Sequence, residues 1–247
     1  GIMASAVLLF IFLGKKLSLK DKLVLNFSLN QVTLGNITAL VKNLLYYMLI
    51  VEIIGTIVLF IHWQTELPTR QAMYLSIFHS ISSFNNAGFA LWPDSLVRHY
   101  NDPVLNIVTT LLIIIGGLGF TVCLDIWKKR NFKQLTLHSK VMITGSLALI
   151  VFGMLTFFFL EIHSTKTFHS FTFTDKLWTS YFQSVSLRSG GFNTVDIGNL
   201  QESTLFMMCL LMFVGAGSTS TGGGIKVTTF VVTLFAVAAF LKGRKQI

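Results

Sequence analysis

Two segments of the sequence repeat the same order of residue types. Each contains a phenylalanine, a serine, an aliphatic residue, a second serine and then a Gly-Phe pair; they read FHSISSFNNAGF at 78–89 and FQSVSLRSGGF at 182–192. Glycine adopts backbone conformations that turn carbonyl oxygens toward a common axis. A ring of such carbonyls can replace the hydration shell of a potassium-sized cation. Because the pattern occurs twice, it is stronger evidence than a single motif.

The candidate cation ligands are the backbone carbonyls that lead into each Gly-Phe pair. They belong to Asn86, Ala87 and Gly88 in the first segment and to Ser189, Gly190 and Gly191 in the second. Two loops cannot close a ring around an ion. Further ligands must therefore come from sequence outside this chain or from other subunits.

Three polar side chains are candidates for supporting these loops. Arg188 precedes the second glycine pair, where hydrogen bonds to filter carbonyls or to an acid suit a guanidinium better than direct contact with a cation path. His79 and Gln183 occupy matching positions in the two segments. Hydrogen bonding suits both of them better than metal ligation.

The composition is that of a membrane protein. Of the 247 residues, 53% are hydrophobic and only 12% are charged. These values exclude disordered, coiled-coil and collagen-like chains and most soluble domains. The net charge of +9 would suggest a nucleic-acid partner in a soluble protein. Here we expect no nucleic-acid partner and an all-α polytopic fold that resembles a potassium channel.

Charge-poor runs predict the membrane spans. A run of about 20 residues crosses the hydrocarbon core, and such runs lie at 43–61, 103–124, 141–160 and 203–225, with a further run at 227–241 and a partial one at 1–14. Lys and Arg concentrate in segments 15–22, 128–140 and 242–247. The positive-inside rule predicts that these three segments are cytoplasmic and that the protein is a multi-pass protein of the plasma membrane.

The two repeated segments are too polar to be spans. Each begins as an apolar helix, for which Pro68-Thr69 and Thr174-Asp175 supply start signals, and ends as a Gly-rich loop. A helix of about 12 residues rises about 18 Å, roughly half the hydrocarbon thickness. We therefore expect each short helix to enter from outside and end near the midplane, where its C-terminus favours a cation.

A third polar segment interrupts the last long apolar run. It consists of Gly215, Ala216, Gly217, Ser218, Thr219, Ser220, Thr221, Gly222, Gly223 and Gly224. So many Gly, Ser and Thr residues cannot sustain a helix, so we expect two half-helices. The favoured interpretation is a gate below the cation ligands. A packing face of small residues is an alternative, and a phosphate loop is disfavoured because Gly-Lys-Ser/Thr is missing.

Three further features leave alternatives open or have a simpler interpretation. Lys226 tethers the 215–224 segment, places a positive charge beside the ion path, or extends to the inner membrane interface. Glu52 lies in a predicted span, where an acid is a functional candidate or is paired inside the protein. We interpret the glycines of 116–119 as a close-packing face.

Three motifs together resemble one family. FHSISSFNNAGF, FQSVSLRSGGFNT and GAGSTSTGGGIK are similar to the membrane subunit of the Trk/Ktr/HKT potassium transporters, closest to the Ktr type. The resemblance implies potassium uptake, with Gly88 and Gly191 as filter glycines and 215–224 as a gate. Members carry four span–pore-helix–span repeats in one polypeptide.

The resemblance divides the chain into parts of such a pore. It implies the end of repeat one at 1–14, a cytoplasmic connector at 15–40, repeat two at 41–127, a cytoplasmic linker at 128–140, and repeat three with a broken second span at 141–247. The fourth repeat would be absent.

The resemblance also implies partners and ions. It implies a homodimer on a cytoplasmic ring of nucleotide-binding regulatory subunits. The basic segments 15–22 and 128–140 can meet that ring or membrane lipids, and anionic lipid is the simpler expectation. We expect no cofactor and no metal besides K⁺ at the filter carbonyls, with Na⁺ as a candidate coupling or stimulating ion.

Other classes of protein explain the sequence less well. An intramembrane serine hydrolase using Ser218 needs a histidine at the same depth, and no histidine of the sequence lies inside a long predicted span. A di-haem cytochrome fails for the same reason. A non-conducting scaffold leaves the two polar loops unexplained. We predict a potassium-conducting subunit and not an enzyme.

Overall fold

A computed structural model describes residues 37–243, apart from 170 and 219. The predicted segments at 1–14 and 15–22, most of 242–247, and Thr219 lie outside the described residues. The described part contains eight α-helices. They are α1 (Ile37–Trp63), α2 (Thr69–Phe84), α3 (Pro103–Leu118), α4 (Phe120–Lys129), α5 (Leu137–Glu161), α6 (Phe173–Ser186), α7 (Glu202–Phe213) and α8 (Val227–Leu241).

Within residues 37–243, two unbroken helices are long and apolar enough to cross a membrane. They are Lys42–Trp63 within α1 and Leu137–Glu161, which is α5. Both coincide with predicted spans. Large apolar side chains of α1 remain more than half exposed, among them Leu49, Ile53 and Ile57. Such a surface is typical of a helix that faces lipid or another membrane helix.

The predicted span at 103–124 is not one straight helix. α3 ends at Leu118, α4 begins at Phe120, and the two are bent by 96°. Gly119 lies between them with φ of 90°, in the region that favours glycine. The interpretation of 116–119 as a close-packing face did not include this break, whereas Gly116 does pack closely, since a Cβ there would overlap Phe84 O. The break frees the carbonyls of the last turn of α3 for other donors.

The two short helices begin close to the predicted positions. α2 begins at Thr69 after Pro68, as expected. α6 begins earlier than predicted, because Thr172 and Asp175 form a reciprocal capping box at its N-terminus. Asp175 is thus the third residue of α6, and Thr172 is the residue that caps the helix.

The last apolar run is divided, as the composition predicts. α7 ends at Phe213 and α8 begins at Val227. Glu161, the last residue of α5, holds the start of α7 in place. The Glu161 side chain is fully buried. Its carboxylate accepts hydrogen bonds from Gln201 N at 2.9 Å and Thr204 Oγ1 at 2.6 Å.

One apolar core joins the two halves of the fold. α1, α2 and α3 pack together, α5, α6 and α7 pack together, and α3 contacts α6. The core contains Trp63, Leu75 and Ile113 from the first half together with Phe182 and Phe192 from the second. This shared core sets the ends of α2 and α6 beside each other.

Candidate functional site

The short helices α2 and α6 end in loops with the same backbone geometry. We call residues 85–89 the first Gly-Phe loop and residues 187–192 the second. In the first, Asn86 and Gly88 have φ of 51° and 72°; in the second, Ser189 and Gly191 have φ of 80° and 78°. Positive φ is rare for residues other than glycine, so its occurrence at matching places indicates equivalent turns.

Equivalent serines hold each loop and each short helix in place. One serine of each helix donates to the carbonyl of the following Gly-Phe phenylalanine: Ser82 Oγ to Phe89 O at 2.8 Å and Ser186 Oγ to Phe192 O at 2.6 Å. The other serine donates to the preceding long helix: Ser80 Oγ to Glu52 O at 2.7 Å and Ser184 Oγ to Ile150 O at 2.6 Å.

Gly88 and Gly191 lie directly against each other. A Cβ built on Gly88 would lie 2.7 Å from Gly191 Cα and 2.9 Å from Gly190 O. A Cβ built on Gly191 would lie 2.9 Å from Gly88 Cα and 3.8 Å from Ala87 O. The fold therefore brings the two sets of predicted carbonyl donors together, and neither glycine tolerates a side chain without a shift of backbone.

Two of the predicted support residues, His79 and Gln183, are buried within the short helices α2 and α6. His79 is buried, and its Nδ1 lies 2.9 Å from Leu75 O of its own helix. Its ring packs 4.7 Å from that of Trp92, centroid to centroid. Gln183 is also buried, and its Nε2 has no hydrogen-bond partner among the described residues. His79 thus stabilises α2 and its aromatic surroundings.

Arg188 joins the second Gly-Phe loop to two other segments. Its guanidinium donates to Ser146 O at 3.2 Å, to Ser146 Oγ at 3.1 Å and to Gly215 O at 3.2 Å. Among the described residues, its hydrogen-bond acceptors are therefore neither filter carbonyls nor an acid, contrary to expectation. It connects the foot of α6 with α5 and with the start of the 215–224 segment.

Glu52 has a partner inside the protein. Its Oε1 accepts a hydrogen bond of 2.8 Å from Asn85 Nδ2. Asn85 is the residue that follows the last residue of α2. Of the two alternatives for Glu52, the structure supplies the pairing partner, and the pair braces the first Gly-Phe loop against α1.

Residues 215–224, the glycine loop, fold back on themselves between α7 and α8. Gly215 N donates to Ile225 O at 3.0 Å and Ala216 N donates to Gly223 O at 3.1 Å. A Cβ on Gly215 would overlap Gly223 O. This close pairing requires small residues.

The glycine loop contacts both halves of the fold. Three hydrogen bonds run from the loop to the first half. Gly217 N donates to Gly117 O at 2.8 Å, Thr221 N donates to Gly116 O at 3.2 Å, and Thr221 Oγ1 donates to Phe84 O at 3.0 Å. Ser189 Oγ donates to Gly223 O at 3.4 Å, and Ser220 Oγ donates to Gly217 O at 2.6 Å within the loop. The loop thus contacts the ends of α2 and α3 and the second Gly-Phe loop.

Lys226 is bound to the glycine loop. Its Nζ donates to Gly222 O at 3.2 Å. This hydrogen bond tethers the 215–224 segment, as one of the alternatives for Lys226 predicts. The acceptors Gly116 and Gly117 were missed by the sequence interpretation. Clustered glycines at the end of an apolar helix are the signal for a helix break with free carbonyls.

The chain was compared with known proteins. A family model described as TrkH, cation transport protein, matches residues 1–246. The chain belongs to this family. The resemblance drawn from the three motifs is therefore confirmed.

Relatives in the TrkH family include named uptake proteins. The chain is 46% identical over 246 residues to Ktr system potassium uptake protein B of Bacillus subtilis, covering 100% of this chain and 55% of that protein. The protein of the same name from Vibrio alginolyticus is 41% identical, with 98% and 54% covered. Potassium/sodium uptake protein NtpJ of Enterococcus hirae is 34% identical, with 100% and 54% covered. These names describe transporters and not enzymes.

A solved TrkH structure shares the fold. The potassium transporter TrkH from Vibrio parahaemolyticus matches with a TM-score of 0.72 at 20% identity, covering 90% of this chain and 45% of that chain. The predicted all-α membrane fold is confirmed. The chain spans about half the length of the relatives that it matches.

Proposed function

We propose that this chain supplies two of the loops that line a potassium uptake path across the plasma membrane. The observation that carries the proposal is the contact of Gly88 with Gly191, since it places Gly190 O and Ala87 O at one junction between the Gly-Phe loops. Carbonyl oxygens in this arrangement can replace the water around K⁺. Relatives named as potassium uptake proteins support the same ion.

In this mechanism the ion loses part of its hydration shell at the Gly-Phe loops and moves down its electrochemical gradient. α2 and α6 direct their C-terminal ends at the loops, and the partial negative charge of a helix C-terminus favours a cation there. We propose that 41–127 and 141–247 are the second and third repeats of a four-repeat pore. The other repeats supply the remaining ligands.

The glycine loop is proposed as the gate. It is held by hydrogen bonds to Gly116, Gly117, Phe84 and Ser189. Most of these are individual hydrogen bonds to backbone carbonyls. Each such hydrogen bond contributes about 1 kcal/mol and can be replaced by a hydrogen bond to water. The loop can therefore move aside while the apolar core stays packed.

The filter assignment is tested by Gly88→Ser and Gly191→Ser in the full-length polypeptide. Each added side chain meets the opposite backbone at less than 3.0 Å and sits at positive φ, so we expect the preference for K⁺ over Na⁺ to fall at least tenfold. The measurement is uptake of isotopic Rb⁺ and Na⁺. Gly198→Ser is the control, because a Cβ there meets only Asp196 Oδ1 at 3.4 Å. Unchanged selectivity in both filter variants would refute the assignment.

The gate assignment is tested by deleting residues 217–223. We expect higher ion flux with unchanged selectivity, because the Gly-Phe loops remain. Lost or unaltered flux in protein that is monodisperse in detergent would count against a gate.

We further propose a homodimer that associates with a cytoplasmic regulatory ring. The basic stretch 128–133 is largely exposed, and it is available to that ring or to anionic lipid. The name of the Enterococcus hirae relative supports testing Na⁺ as a second ion. Native mass spectrometry of the purified protein, with and without a ring subunit, tests the assembly.

A further inference from the structure

The last carbonyl of α2 is paired differently from its neighbours. The three carbonyls before it accept bonds from their own turn: Ile81 O from Asn85 N at 3.0 Å, Ser82 O from Ala87 N at 2.9 Å and Ser83 O from Asn86 N at 3.2 Å. Phe84 O accepts from Thr221 Oγ1 at 3.0 Å. Among the described hydrogen bonds this is its only donor. The end of α2 is thus completed by a residue 137 positions away.

α6 ends without such help. The carbonyl of its last residue, Ser186, accepts from Gly190 N at 2.7 Å and from Gly191 N at 3.2 Å. The second repeated segment is one residue shorter than the first. Ser186 corresponds to Ser82, whose carbonyl likewise accepts from its own loop, whereas Phe84 O, two residues later, takes its donor from the glycine loop.

The surroundings of Thr221 are shaped for this bond. Its backbone N–H donates to Gly116 O at 3.2 Å, so both hydrogen-bond donors of the residue are engaged by the first half of the fold. A Cβ on Gly116 would overlap Phe84 O and lie 2.9 Å from Thr221 Oγ1. Glycine at position 116 therefore keeps the approach between Thr221 and Phe84 open.

We propose that Thr221 is the positioning residue that latches the glycine loop in its closed place, and that a cation below the Gly-Phe loops competes with Thr221 for Phe84 O. A carbonyl at the C-terminus of a helix carries partial negative charge. It is a suitable ligand for a partly dehydrated K⁺. A cation bound to this oxygen draws its negative charge away and repels the hydroxyl hydrogen, so ion entry weakens the latch. This inference rests on the proposed gating role of the loop.

The test compares Thr221→Val with Thr221→Ser in the full-length polypeptide. Valine keeps the shape and removes the donor, whereas serine keeps the donor. We expect Thr221→Val to raise flux at low K⁺ by about threefold to tenfold, the effect of losing one hydrogen bond. Thr221→Ser should behave as wild type. Thr233→Val is the matched control, because this exposed hydroxyl on α8 lies outside the glycine loop and bonds Thr229 O of its own helix.

The ion dependence separates a latch from a merely structural role. In wild type and Thr221→Ser, flux should rise more steeply than proportionally with K⁺, and this extra rise should be absent in Thr221→Val. If valine does not give folded protein, Thr221→Ala removes the same donor with less bulk. Wild-type flux in Thr221→Val, equal effects of valine and serine, or an unchanged K⁺ dependence would each overturn the latch.

The deletion of residues 217–223 distinguishes a failure of the latch hypothesis from a failure of the gate hypothesis. If the deletion raises flux but Thr221→Val does not, the loop is a gate without this latch. If the deletion leaves flux unchanged, the gate itself is wrong.

Discussion

The guanidinium of Arg188 donates a hydrogen bond of 3.2 Å to the carbonyl of Gly215. A residue of the second Gly-Phe loop is thereby joined to the first residue of the glycine loop. The same guanidinium also bonds Ser146 on α5. This bridge places the proposed filter, a long helix and the proposed gate in one hydrogen-bonded unit.

Replacing Arg188 should loosen this unit. Lysine is a point charge and cannot span the same acceptors as the planar guanidinium. We expect Arg188→Lys to lower the melting temperature in detergent by about 5 °C and to increase ion leak. Ser146→Ala is the milder comparison, since it keeps the backbone acceptor. Equal melting temperatures for Arg188→Lys and wild type would contradict the bridging role.

The Glu52–Asn85 pair should act as one energetic unit. Glu52→Leu leaves Asn85 Nδ2 without this acceptor, while Glu52→Gln retains an Oε1 acceptor. We expect Glu52→Leu and Asn85→Leu each to destabilise the protein by about 1–2 kcal/mol, and the double variant to be no worse than either. Thermal unfolding of the four proteins provides a double-mutant cycle. Fully additive losses would show that the two residues act independently.

Glu161 should be needed for the start of α7. Its carboxylate is fully buried and accepts from Gln201 N and Thr204 Oγ1. Glu161→Leu leaves these donors unpaired, for an expected loss of about 2 kcal/mol in stability. Glu161→Gln keeps an acceptor and should lose less. Thermal stability measured in detergent distinguishes the variants, and leucine as stable as glutamine would rule out this role.

Lys226 should help to keep the glycine loop closed. Lys226→Met retains the apolar stem and removes the donor to Gly222 O. We expect flux to increase by about twofold to fivefold, with unchanged ion preference. Lys242→Met, beyond the end of α8, is the control. Reduced flux in Lys226→Met would instead indicate a charge that serves the ion path.

Local signals accounted for the elements that the sequence predicted well. Continuous apolar runs predicted the long helices at 43–61 and 141–160, because length and hydrophobicity alone decide whether a helix can cross a bilayer. The interruption before Val227 followed from the low helix propensity of Gly, Ser and Thr. The bend at Gly119 was missed, since clustered glycines suit either a packed helix or a broken one.

The sequence by itself determined the family, the membrane class and the two Gly-Phe loops, because apolar length, motif order and glycine placement are properties of short stretches. Only the tertiary structure decided that Arg188 bonds Gly215, that Glu52 bonds Asn85 and that Thr221 bonds Phe84. The physical reason is that any one hydrogen-bond donor or acceptor can pair with many different groups of complementary chemistry. Which one it meets depends on how distant helices pack, and no local pattern records that choice.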